Sequence, residues 1–462
     1  MYAAPVSDAA IDRSLTELTA EAGGDPRKTR HIIVGADALA EMPRWLQQAH
    51  PSRRDVLVCD AHTAAAAGRS LHRALHMEGR NADLVVLDPQ PGEDHLVCDD
   101  AVIDALQQRL SGMSQPNAIA VGAGTVNDIV KMATFRLGLP YQCVPTAASM
   151  NGYTSAIAAV LSRGVKRTLP AQQAEAVFAD IGVIRRAPEH LNQAGFGDLL
   201  SKPYSNADWL LSHLVRGVPY EERPARLLDE AYDALLDRAA AVGAAEAAGI
   251  GTLTRTILLS GFTMAIAGTS APASGGEHLV SHYWDMEQHC RGLPLFGLHG
   301  TQVGIATRLS AMLFEKLVAL EKSDIDPDAA QRRFPDPAWL DELAARHPRL
   351  TAPVVEEVRE QIATKQRHGA ALRDEIASVR ARWSEIRGTL QSVLIPSARM
   401  AQVLQLAGAP ARPSDIGVGH LHATQTLQVC RHIRGRYVGF DLMADLGFLD
   451  AWAEHAVAEI EG

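Results

Sequence analysis

Between about residues 31 and 185, short β-branched and apolar runs recur along the chain: HIIVG, DVLVCD, ADLVVLD, AIAVGAG, YQCVP and AVFADI. Stretches of helical length and composition separate them. Strands spaced in this way pair in parallel through βαβ crossovers, so the pattern predicts a Rossmann-like sheet. Beyond Arg185 the strand-like runs thin out. Residues 230 to 248 and 354 to 394 become rich in Ala, Leu, Glu and Arg, a helical composition. The predicted fold class is therefore an α/β N-terminal domain followed by an all-α C-terminal domain, with the cleft between them as the default ligand site. The expected boundaries are an N-terminal extension over residues 1–30, an α/β domain over 31–190 and a helical domain over 191–462. The charged stretch from about 315 to 385 reads as solvated helical faces around a proline-broken linker and is assigned no chemistry.

Composition narrows the function classes. A chain of 462 residues, 47% hydrophobic and 21% charged, can bury the cores of two or more domains. A net charge of -10 leaves no basic footprint, which argues against a nucleic-acid partner. Cys59, Cys98, Cys143, Cys290 and Cys430 are scattered and form no CxxC, so a reducing cytoplasmic location is expected rather than a disulfide framework or thiolate zinc site. The first thirty residues carry charges where a signal peptide has an apolar core, and no run of about 18 uncharged apolar residues follows, so neither secretion nor a membrane span is expected.

Four segments concentrate polar chemistry at structural turns. GAGTVNDIVK follows the run AIAV, and paired glycines at a strand-to-helix turn let backbone amides approach a pyrophosphate, although the third glycine of GxGxxG is missing. Asp60, closing DVLVCD, either accepts from the hydroxyls of an adenosine ribose or caps the helix beginning at Ala61. The loop PTAASMNGYTS after YQCV mixes hydroxyls, an amide and a glycine, which suits ligand contact at a strand's C-terminal end or a simple Asx or Ser/Thr turn. In SGGEHLVSHYW, His278 and His282 share one helical face, and His299 follows in LHG; together they suit metal ligation or ligand binding with a proton donor. The stretch AGFGDLLSK adds Asp198, set among glycines and large apolar residues. It reads as a helix N-cap or as a metal ligand, because a half-buried carboxylate needs donors or a cation.

In that order, GAGTVNDIVK, PTAASMNGYTS, AGFGDLLSK, SGGEHLVSHYW, LHGTQVG and IRGRYVGFDLMADLGFLD make the chain resemble the sn-glycerol-1-phosphate dehydrogenases. These belong to the superfamily of iron-containing alcohol dehydrogenases, glycerol dehydrogenases and dehydroquinate synthases, and the resemblance spans roughly residues 31 to 450. It implies a dinucleotide-binding domain, a helical metal-binding and substrate domain, and a homo-oligomer. The implied activity is NAD- or NADP-linked interconversion of dihydroxyacetone phosphate and sn-glycerol 1-phosphate, a small phosphorylated three-carbon substrate, in a lipid-related pathway. One divalent ion, zinc, nickel or iron, would be held by Asp198, His278 and His299. The dinucleotide contacts would fall on Asp60, on Gly122, Ala123, Gly124, Thr125 and Val126, on Thr146, Ala147, Ala148 and Ser149, and on Ser155. Asn151, Asp198, His282 and Lys202 would face the substrate, with Asp198 and His282 as the catalytic pair.

Within this resemblance His282 either relays a proton or orients the site, and Lys202 is either a phosphate ligand or a surface lysine. One departure stands out. The family usually carries an aspartate where this chain has Asn151, which keeps the shape, loses a charge and gains a donor. This raises a rival reading, a related metal-dependent reductase of another phosphorylated or phosphonate carbonyl compound. Separate rivals are a dehydroquinate-synthase-like cyclase, which prefers a glutamate where this chain has Asp198, and a degenerate nucleotide-binding module, against which the retained Asp and two His argue. Ser201, in place of the more usual glycine, and Pro203 are smaller departures beside the same turn.

Overall fold

The six apolar runs form the six strands of one sheet in a computed structural model that describes residues 8–90, 95–162 and 165–462. They are β1 (His31–Gly35), β2 (Arg54–Asp60), β3 (Ala82–Leu87), β4 (Pro116–Gly122) and β5 (Tyr141–Pro145), with β8 (Ala176–Asp180) entering last. Between β5 and β8 lies an antiparallel pair of β6 (Ile157–Ser162) and β7 (Val165–Pro170), which the apolar pattern did not disclose. The sheet order is β1-β8-β5-β4-β2-β3 and every pairing in it is parallel. Every residue of β4, β5 and β8 is buried, as expected of inner strands covered on both faces, whereas all five residues of the edge strand β1 are partly exposed. Leu57, Cys59, Ile119, Val121, Val144 and Phe178 pack with Met42, Leu46, Leu71 and Leu75 into one core.

Register brings the loops together. Gly122 lies beside Pro145, so the turn after β4 and the PTAAS loop after β5 leave the sheet as neighbours. Val58 pairs with Ala120, which puts Asp60 level with Gly122, each two residues further on. The chain moves outward from β2 to β3 and returns to the other side of β2 as β4, making the β2–β4 boundary the switch point where open sheets of this kind take ligands.

Two compact units emerge, and they are drawn differently from the linear domains expected from the sequence. The first contains Met1–Leu199, Arg223–Thr269 and Leu406–Gly408; the second contains Leu200–Glu222, Ser270–Gln405 and Ala409–Gly462. The helix Ala247–Ala267 joins the sheet unit because it packs against β1 and against the helix Asp8–Glu21. Within the expected N-terminal extension, Asp8–Glu21 is a docked helix: Arg255 Nε donates to Asp12 at 2.6 Å, and Thr252 Oγ1 donates to Asp8 at 2.8 Å. Ala247–Ala267 is also long and apolar enough to cross a membrane by length and composition, with 78% of its apolar window buried inside the protein. The regular elements among the described residues of the second unit are all helices; one of its cores gathers Leu340, Leu343, Val355 and Ile362.

Candidate active site

In the sheet unit, Gly122 ends β4, Ala123 is the N-cap residue and the helix Gly124–Leu137 follows. Ala123, Gly124 and Thr125 are half-buried, whereas Gly122 and Val126 are buried. The absence of a side chain at Gly124 has a packing reason as well: a Cβ there would stand 2.9 Å from Met150 Cγ. Asp60 is the cap that one of its two readings described, since Thr63 N donates to Asp60 Oδ1 at 2.7 Å. In the PTAAS loop, Ser149 and Asn151 are half-buried, while Thr146, Ala147, Ala148 and Ser155 are buried. Ser155 spends its hydroxyl on the Gly152 and Ile157 carbonyls at 2.9 and 3.1 Å.

That loop is held from below by a residue outside the expected set. Lys131, fully buried on the helix that opens at Gly124, donates from Nζ to Gly152 O at 2.7 Å and to Ile157 O at 2.9 Å. Asp128, one helical turn before it, lies 3.6 Å from the ammonium and accepts from Ala159 N at 3.0 Å. Burial pushes the Asp128 carboxyl up and the Lys131 ammonium down, and each partner's charge opposes that drift. The sequence signal was the spacing in NDIVK, an acid and a base three apart on one helix.

Asp198 is not a helix N-cap. It is the third residue from the end of the helix Glu189–Leu200, which starts nine residues earlier, and the apolar residues after it complete that helix. A carboxylate near a helix C-terminus meets the negative end of the dipole, and Asp198 is only 1% exposed, so it requires donors. Asn151 supplies two: its backbone N at 3.1 Å from Oδ2 and its side-chain Nδ2 at 3.3 Å from Oδ1. An aspartate at 151 keeps the first bond and loses the second. The close approach is possible because of Gly195: a Cβ there would lie 1.7 Å from the Ala148 carbonyl oxygen.

In the helical unit, His278 and His282 share a face of the helix Gly276–Arg291, and His299 opens the helix His299–Val318. The three rings cluster, with centroids 5.1 Å apart for His278 and His299, 5.3 Å for His282 and His299, and 6.1 Å for His278 and His282. His278 Nδ1 bonds Glu277 Oε1 at 2.8 Å, and His299 Nδ1 bonds Ser281 Oγ at 2.9 Å. The Glu277 carboxylate only accepts, so His278 carries its ring proton on Nδ1, the arrangement by which neighbouring acceptors orient metal-binding histidines. Arg434 Nη2 donates to His282 Nδ1 at 3.1 Å, which puts that ring's proton on Nε2. Burial pushes the Arg434 guanidinium down to about 10, with Arg436 adding to the effect.

Lys202 is not a surface lysine: it is 4% exposed, and its Nζ donates to Ser201 Oγ and to Ala273 O, each at 3.3 Å. Ser201 thus gives the ammonium a partner that glycine lacks. Pro203 falls in the first turn of the helix Lys202–Arg216, where a missing N–H disrupts no helical hydrogen bond.

Comparison with known proteins places the chain in a family by sequence and fold. The sequence profile of the family described as "Iron-containing alcohol dehydrogenase" matches residues 33–188. A glycerol-1-phosphate dehydrogenase [NAD(P)+] of Bacillus velezensis is 36% identical over 304 residues, 65% of this chain and 75% of that one. The chain belongs to the glycerol-1-phosphate dehydrogenase family. Another member similar to it is that of Pyrococcus furiosus, 32% identical over 62% of this chain and 78% of its own. Among solved structures, glycerol dehydrogenase from Schizosaccharomyces pombe has a TM-score of 0.58 at 13% identity, covering 93% of this chain and 91% of its own. A probable glycerol dehydrogenase from Sinorhizobium meliloti 1021 has a TM-score of 0.56 at 16% identity, over 92% and 98%. These likenesses show that this dehydrogenase family member shares their fold.

Proposed function

We propose that the protein is an NAD(P)-linked dehydrogenase interconverting dihydroxyacetone phosphate and sn-glycerol 1-phosphate, with one divalent cation held by Asp198, His278 and His299. The observation that carries the reading is the donor set: Asp198 is a buried carboxylate held by Asn151, and His278 and His299 have ring centroids 5.1 Å apart. One carboxylate and two imidazoles suit zinc, nickel or iron, and three protein ligands are typical of a catalytic rather than a structural site. Such a cation, when bound, supplies Lewis-acid polarisation of the substrate's carbonyl oxygen.

The chain's own residues do the rest. Asn151 donates two hydrogen bonds to Asp198 and fixes the direction of its carboxylate. His282, kept with its proton on Nε2 by Arg434, offers that N–H as a hydrogen-bond donor to the substrate oxygen and orients it in the site. The half-buried Ala123, Gly124 and Thr125 offer backbone amides at a helix N-terminus to the coenzyme pyrophosphate, and Asp60 offers its carboxylate to a ribose. Lys202 supplies the ammonium for the substrate phosphate. The rival reductase reading rested on Asn151, whose amide is engaged with Asp198 and so does not favour a different substrate.

The test is to strip the protein of metal, restore zinc, nickel or iron separately, and follow NADH and NADPH oxidation with dihydroxyacetone phosphate. Turnover is expected only after reconstitution, with sn-glycerol 1-phosphate and not the 3-phosphate as product. Asp198→Ala is expected to lose about a thousandfold or more in kcat/KM, the size of several kcal/mol of transition-state stabilisation. Full activity of stripped protein sinks the proposal.

A further inference from the structure

We propose that Asp285, Gln302 and Ser281 form a one-way hydrogen-bond chain that sets the tautomer of His299 and so presents its Nε2 lone pair for metal binding. The inference rests on the ligand set proposed above and assigns positioning residues to it. All three lie on the helices that carry the histidines: Ser281 and Asp285 on Gly276–Arg291, and Gln302 one turn beyond His299. Ser281 and Gln302 are completely buried and Asp285 is 1% exposed, so water does not stand in for a missing link.

The direction of the chain follows from its far end. A carboxylate only accepts, so Gln302 turns its amide NH2 towards Asp285, with Nε2 at 3.0 Å from Oδ1. The opposite flip would set two acceptor oxygens against each other in a dry interior. Gln302 therefore faces Ser281 with its carbonyl oxygen, and Ser281 Oγ donates to Oε1 at 2.7 Å. With its one proton committed, Ser281 only accepts from His299, whose Nδ1 stands 2.9 Å away and must carry the ring proton. The lone pair is then on Nε2.

His278 reaches the same tautomer by a shorter route, directly on the Glu277 carboxylate. The two imidazoles thus match in tautomer, His278 through direct contact with a carboxylate and His299 through two intervening neutral side chains. Its signature in sequence is spacing: Ser281 and Asp285 are four apart, and His299 and Gln302 three apart, so each pair shares a helical face.

The test measures zinc affinity of the full-length protein by competition with a chelator of known affinity, and the His299 tautomer by 15N spectra of metal-free protein. Ser281→Ala and Gln302→Met are each expected to weaken zinc binding about 10- to 100-fold, the effect usual for outer-shell partners of metal-bound histidines. Ser281→Thr, which keeps the hydroxyl, is expected to stay within about threefold of wild type. Because the links act in series, the double variant is expected to bind no more weakly than Ser281→Ala alone. In the spectra, wild type is expected to hold the proton on Nδ1 and Ser281→Ala to show both tautomers.

An unchanged affinity in Ser281→Ala, or additive losses in the double variant, overturns the chain. Should Gln302→Met not fold, Ser281→Ala and its spectra decide alone, since that change removes a single oxygen. The ligand set is judged separately by His299→Ala: full zinc affinity there overturns the set, whereas loss in His299→Ala with none in Ser281→Ala overturns only the relay.

Discussion

In the sheet unit the polar groups under the ligand-side loop are tied to main chain, with Lys131 reaching the Gly152 and Ile157 carbonyls and Asp128 reaching the Ala159 amide. In the helical unit the corresponding groups are tied to one another, as in the run from Asp285 through Gln302 and Ser281 to His299. The difference reflects the local backbone. The segment from 146 to 157 connects strands without helical hydrogen bonds of its own, so its carbonyls need donors brought from elsewhere. The helices Gly276–Arg291 and His299–Val318 satisfy their own main chain and leave side chains to bond among themselves. Anchors of the first kind hold a shape, and chains of the second kind hold a proton in place.

The largest expected effect comes from cutting the main-chain anchor. Lys131→Met leaves Asp128 as an uncompensated buried charge and frees two loop carbonyls, a loss of about 3–5 kcal/mol in unfolding free energy by urea titration. Amide exchange is expected to quicken across 146–160 while the helices bearing the histidines keep their protection, and equal acceleration in both units breaks the contrast. Adding Asp128→Asn is expected to restore part of the loss.

A smaller effect separates main-chain from side-chain support within one site. Asn151→Asp removes only the Nδ2 bond to Asp198 and leaves the backbone donor, so metal-free protein is expected to lose about 1–2 kcal/mol. A saturating divalent cation is expected to erase most of that difference by neutralising the paired carboxylates. A thermal-melt comparison with and without chelator checks it, and an equal deficit in both conditions argues against the cation site.

The smallest effect is in pH dependence, and its sign differs between the units. Burial pushes the Glu175 carboxyl up, but the hydrogen bond from His50 and the Arg30 charge outweigh it and hold it below its ordinary 4.5. Its contribution is complete above that value and is lost as the pH falls through the lowered one. Asp445 in the helical unit is pushed by burial up to about 7 from an ordinary 3.8. Its contribution is complete below 3.8 and is lost as the pH rises through about 7. Hydrogen exchange is expected to quicken at β8 on acidification and at the helix Gly439–Leu446 on raising the pH towards neutrality, by at most about 1.4 kcal/mol per pH unit per group. Asp445→Asn is expected to flatten the second trend.

Much of this architecture was legible in the chain. Every apolar run between residues 31 and 185 became a strand of the sheet, because inner parallel strands require continuous burial. The β6–β7 pair escaped because IAAVLS and VKRTLP carry little hydrophobic contrast. Asp198 looked like a cap because an apolar run follows it, whereas the helix had begun upstream in EHLNQAGFG, where two glycines mask the helical pattern. The histidines were legible by spacing, and the residues that orient them were not. Ser281 and Gln302 acquire meaning only once the facing helix is in place. The burial of Lys202 is likewise a tertiary fact that a lysine in a helical sequence does not announce.

The placement of Ala247–Ala267 has a consequence for how the protein is made. The sheet is synthesised by residue 180, yet the helix that packs on β1 and on the first helix leaves the ribosome only after the excursion Leu200–Glu222 and the segment that follows it. At about 5–20 residues per second the nascent sheet waits several seconds with that face uncovered. A recombinant fragment cut near residue 190, where the strand pattern stops, makes that wait permanent. A fragment that keeps that face covered has to extend to Thr269, where the helix has been completed.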